Sequence, residues 1–85
     1  MASKQDLVTW VREALAASGG GATVVETARH IWREHGAELR RSGDLLFTWQ
    51  YDMRLAATEL VKRGLIRKER RGPNPGYWVL TRTAR

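Results

Sequence analysis

The 85-residue chain contains no cysteine. That excludes a disulfide framework and a thiolate metal site. No apolar run approaches the roughly 18 residues of a membrane-spanning helix, and the N-terminal MASKQDL lacks the apolar stretch of a signal peptide. The expected setting is soluble and intracellular, in the cytoplasm. Internal repeats and low-complexity segments are also missing. So are the patterns of catalysis. His30 and His35 stand five apart in HIWREH, so they do not share a helix face as the histidines of HExxH do. Gly19-Gly20-Gly21 has neither the preceding strand nor the following Lys-Ser or Lys-Thr of a phosphate loop. Asp44 and Asp52 lack a partner nucleophile, and capping or surface roles suffice for them. We expect no enzyme, no cofactor, no metal and no small-molecule substrate.

Acid is scarce in one region above all. Residues 62–85 carry eight cations (Lys62, Arg63, Arg67, Lys68, Arg70, Arg71, Arg82, Arg85) against the single anion Glu69, a local net of +7 in a chain of net +6. Residues 1–42 are nearly balanced, with six cations and five anions. A field concentrated in this way attracts polyanions and speeds their encounter.

At this length the chain forms one domain, residues 1–85, and buries only about 60–65% of the surface its unfolded form exposes. Four tryptophans, Trp10, Trp32, Trp49 and Trp78, supply bulk for so small a core. Trp10 lies at the edge of its helix stripe, where it could mark a dimer contact.

Hydrophobic spacing predicts three helices. The first covers residues 4–17, with Leu7, Val8, Val11, Ala14 and Leu15 as its buried stripe. Ser3 and Asp6 have the spacing of a capping box, and the glycines at 19–21 end the helix. The second covers residues 24–35. Thr23 and Glu26 form its capping box, Val24, Val25, Ala28, Ile31 and Trp32 its buried side, and Gly36 its stop. Residues 21–23 add a short strand, and residues 37–47 read as a loop with at most one helical turn. The third helix covers residues 48–63, starting at Thr48 or as early as Asp44, and ends at Gly64. Trp49, Met53, Ala56, Ala57, Leu60 and Val61 form its inner face. Tyr51, Arg54, Leu55, Thr58 and Lys62 lie opposite, with Gln50 at the margin and Asp52 and Glu59 to one side. A hairpin over residues 65–81 follows: a basic strand from Leu65 to Arg70, a turn from Arg71 to Gly76, and an apolar return from Tyr77 to Thr81. The chain's two prolines both stiffen this tip. Residues 82–85 read as a frayed basic tail.

The stretch LAATELVKRGLIRKERRGPNPGYWVLT, residues 55–81, resembles the recognition helix and wing of winged helix-turn-helix proteins. Ala56, Leu60, Gly64, Leu65, Ile66, Tyr77, Leu80 and Thr81 carry the likeness. The nearest variant is the N-terminal winged-helix domain of Mrr-type restriction proteins. The chain departs from that variant in having Leu55 where a tryptophan falls and in its longer turn, and no nuclease domain follows within these residues. The resemblance implies a mostly α, α+β fold: three helices and a C-terminal hairpin wing. It also implies double-stranded DNA as partner, with the N-terminal half of the third helix in the major groove.

The chemistry of the outer face suits such a role. Arg54 can pair with guanine O6 and N7, and Gln50 with adenine N6 and N7. Tyr51 and Thr58 can reach phosphate or base, and Lys62 phosphate. Along the wing, Arg67, Lys68, Arg70 and Arg71 would meet the backbone or send one arginine into the minor groove. Strand alternation turns Arg67 and Glu69 one way and Lys68 and Arg70 the other, so Arg70 and Arg71, nearest the tip, are favoured. The expected role is a small transcriptional regulator or an architectural, nucleoid-associated protein, with a homodimer as a way of enlarging a modest interface. Two alternatives stand beside it. A docking module for another protein would show an apolar outer helix face and a neutral wing; Leu55 alone hints that way. RNA binding by the hairpin ranks lower, because no paired exposed aromatics lie on a sheet.

Overall fold

Two of the three helices begin where a side chain replaces the missing backbone partners of the first turn. In a computed structural model, which describes residues 2–81 apart from the side chains of Arg71, Asn74 and Pro75, Ser3 and Asp6 cap α1 (Lys4–Ala17). Asp6 N–H donates to Ser3 Oγ at 3.4 Å, and Ser3 N–H donates to Asp6 Oδ2 at 3.0 Å. Thr23 and Glu26 cap α2 (Val24–Arg40) in the same way, at 3.1 and 2.9 Å. The basic tail at 82–85 lies outside the described residues.

The ends of α1 and of α3 (Leu45–Lys62) follow one pattern. Gly19 and Gly64 take positive φ, of 78° and 76°. Past them, Gly20 N–H reaches back to Leu15 O at 2.8 Å and Leu65 N–H to Leu60 O at 3.0 Å. These are Schellman closures, and the left-handed residue suits glycine.

Gly36 does not stop α2, contrary to expectation. The helix runs on to Arg40, because Gly36 is where the Trp32 indole lies: a Cβ built there would sit 3.3 Å from Trp32 Cδ2. The predicted loop over residues 37–47 shrinks to residues 41–44, with Gly43 at φ 61°. Consequently α3 starts at Leu45. Asp44 precedes it without a side-chain cap bond, and Thr48, read as an alternative cap, lies within the helix and donates to Asp52 Oδ2 at 2.8 Å.

The strands form one antiparallel sheet in the order β1 (Gly21–Thr23), β3 (Asn74–Leu80), β2 (Ile66–Arg71). Gly21 pairs with Val79 and Thr23 with Tyr77, so the short strand clamps the returning arm of the hairpin. The tip is tighter than expected. Arg71 pairs with Asn74 across Gly72 and Pro73 alone, and a bulge between Glu69 and Arg71 absorbs the register shift. Gly72, at φ 57°, supplies the first position of a two-residue turn.

The core lies where the three helices and the sheet meet: Leu7, Val11 and Leu15 from α1, Ile31 and Leu39 from α2, Met53 and Leu60 from α3, Ile66 and Trp78 from the sheet. Two inner-face expectations change, and one residue expected beside the outer face proves buried. Val25 is 58% exposed, Trp32 is 37% exposed, and Asp52 is buried. The last follows from the start of the chain, which folds over α3. Ala2 N–H donates to Ser42 Oγ at 3.0 Å, and Lys4 Nζ stands 3.9 Å from Asp52 Oδ1. The whole is an α+β arrangement that matches a helix-turn-helix with a β-hairpin wing. No helix among the described residues is long and apolar enough to cross a membrane.

Candidate nucleic-acid interface

The outer face of α3 is set by the depth of its inner one. Trp49, Met53, Ala56, Ala57 and Leu60 are buried, which turns Tyr51, Arg54, Leu55, Thr58 and Lys62 to solvent. Gln50 is exposed as well. Thr58 Oγ1 donates to Arg54 O at 3.1 Å, so that hydroxyl proton is already committed to the helix. Lys62 sits in the last turn, where a cation complements the helix dipole.

The face is more apolar than the sequence suggested. Phe47, inside the helix only on the earlier of the two expected starts, belongs to its first turn and is 85% exposed. With Tyr51 at 67% and Leu55 at 47%, it forms a stripe at i, i+4 and i+8. The signal was present in that spacing.

Gln50 and Arg54 are brought together in a cleft between α2 and α3, with Arg29 and Arg33 from α2 on its other wall. Neither of those two arginines was singled out in the sequence. Tyr51 lies apart, beside Lys4, Thr48 and Asp52 in a second cleft.

The hairpin starts where α3 ends, with Arg63–Leu65 the only residues between them. Arg67 and Glu69 do share a face: Arg67 Nη2 stands 2.8 Å from Glu69 Oε2, and Nε donates to the same oxygen at 3.0 Å. That pair reduces what Arg67 can offer a second anion. Lys68 and Arg70 are exposed, and no described carboxylate pairs with Arg54, Lys62, Lys68 or Arg70. The Arg71 side chain lies outside the described residues. Elsewhere, His35 stacks on Trp10 at 3.9 Å between centroids, nearly parallel at 6°, and meets Glu13 Oε1 at 3.3 Å. This joins α1 to α2 and covers one face of Trp10.

No protein-family model, no curated protein and no solved structure matches the chain.

Proposed function

We propose that this chain is a double-stranded DNA-binding protein of winged-helix type, a small regulator or architectural protein. In this reading α3 enters the major groove and the basic hairpin meets the backbone. The observation that carries it is the set of exposed cations without a described carboxylate partner, Arg54, Lys62, Lys68 and Arg70, on one helix and the strand that directly follows it. Phosphate binding needs such cations, because each neutralised phosphate releases condensed counterions. Arg54 and Gln50 supply the bidentate chemistry for guanine and adenine edges.

The test is a duplex titration over a range of salt. Four or five phosphate contacts give a log K against log salt slope of about −4. A slope near zero removes the proposal.

One observation favours a second reading, a protein-docking module. The Phe47–Tyr51–Leu55 stripe is the apolar helix face such a module would present. Phe47→Ser separates the two. Duplex affinity survives it if α3 works through Arg54 and the wing; docking to a protein partner does not.

A further inference from the structure

The cleft between α2 and α3 has a composition that neither packing nor the sequence accounts for. It encloses about 500 Å³. Small-molecule clefts commonly run from about 300 to 1,000 Å³. Its floor holds the buried Trp49 and Met53, while Val25 and Trp32 are apolar side chains left exposed along it. Three guanidinium groups line the same space: Arg29 and Arg33 from α2, Arg54 from α3. Arg33 already contacts Glu34 at 3.4 Å, but no described carboxylate pairs with Arg29 or Arg54.

Three other surface clefts, of 400 to 520 Å³, each carry a carboxylate on their walls: Asp44 and Asp52 in one, Glu13 in another, Glu26 in the third. The α2–α3 cleft carries none. Exposed apolar side chains such as Val25 and Trp32 reward a hydrophobic body, and arginines without a described carboxylate partner reward a carboxylate or sulfonate, which a guanidinium fork grips with two parallel hydrogen bonds. A neutral apolar ligand would leave the arginines unused. An inorganic anion would leave the exposed surface of Val25 and Trp32 wet.

We propose that this cleft binds a small amphipathic organic anion, with an aromatic or alkyl body against Val25 and Trp32 and its acidic head between Arg29 and Arg54. The inference goes beyond duplex binding and does not depend on it, since its test contains no DNA.

The test uses the whole chain, isotope-labelled, with its four indole N–H signals followed by NMR during titration with phenylbutyrate and, separately, with phenylbutanol. The Trp32 and Trp49 signals should move and saturate with the acid while those of Trp10 and Trp78 stay fixed. The alcohol should bind roughly tenfold or more weakly, the scale of one charge-assisted hydrogen bond. Replacing both arginines, Arg29→Met with Arg54→Met, should bring the acid down to the alcohol's affinity, and the spectrum itself reports that this variant is folded. The proposal is overturned if Trp32 and Trp49 show no saturable shift, if acid and alcohol bind alike, or if the double variant keeps full affinity for the acid.

Discussion

The indoles of Trp32 and Trp49 stack at 5.9 Å between centroids and 10° between planes, and this contact ties α2 to α3. It depends on Gly36, whose missing side chain lets Trp32 lie against its own helix, and on Arg40, whose guanidinium carbon sits 5.1 Å from the Trp32 ring centroid. Trp32, Gly36 and Arg40 stand at i, i+4 and i+8, one face of one helix. The orientation of α3 relative to α2, and hence what its outer face presents, rests in part on this arrangement.

Trp32→Ala should therefore cost about 2–3 kcal/mol, below the range for a fully buried tryptophan because Trp32 is partly exposed. Urea denaturation measures this. A loss under about 0.5 kcal/mol, the size of a neutral surface substitution, would show that the stack is incidental.

The clamp between β1 and β3 leaves little room for a methyl group at Gly21. A Cβ there would meet Tyr77 Cε2 at 3.0 Å and the Trp78 carbonyl oxygen at 3.2 Å. The carbonyl belongs to the backbone of the central strand and cannot swing aside. Gly21→Ala should lower stability by about 1–3 kcal/mol, the cost of overpacking. In a domain of this size that is a fall in Tm of roughly 4–8 °C for each kcal/mol. An unchanged Tm would mean that the strand separates freely from the hairpin.

Much of this architecture could be read from neighbouring residues. Ser3 with Asp6, Thr23 with Glu26, and the glycines at 19 and 64 are local signals, and each element end they mark is found where they put it. What stayed hidden depends on contacts across the chain. Gly36 reads as a stop because its use, as a seat for Trp32, is a packing matter. Asp52 reads as a surface residue because the segment that covers it lies some fifty positions earlier. Phe47 joins the stripe of Tyr51 and Leu55 only if the helix takes the earlier of its two expected starts, at Asp44, and local capping signals do not choose between them. In the cleft, Gln50 and Arg54 were legible from α3 alone; Arg29 and Arg33 became visible once α2 was set beside it.

Thr48 and Asp52 provide a partly buried polar contact whose energy can be isolated. Asp52 Oδ2 accepts from Thr48 at 2.8 Å, and its side chain is 4% exposed. Asp52→Ala should cost about 1–2 kcal/mol, and a double-mutant cycle with Thr48→Ala should return a coupling of about 1 kcal/mol. Additive losses would mean that the bond contributes nothing net.

Within the DNA reading, helix and wing have separable duties. Arg54→Ala should reduce discrimination between a preferred and a random duplex, by about 1–3 kcal/mol if it reads guanine. Arg70→Ala should weaken both duplexes alike and make the salt slope shallower by about one unit. Competitive binding assays measure both. Equal losses on both duplexes for both variants would argue against base reading by α3.

The central claim is that the outer face of α3 and the basic hairpin bind one duplex together. NMR titration of the labelled chain with a short DNA duplex tests it most directly. The account predicts that amide signals of residues 50–62 and 67–71 shift with a common dissociation constant, while those on the buried face of α1 stay in place. Shifts confined to one of the two surfaces, or largest on α1, would contradict it.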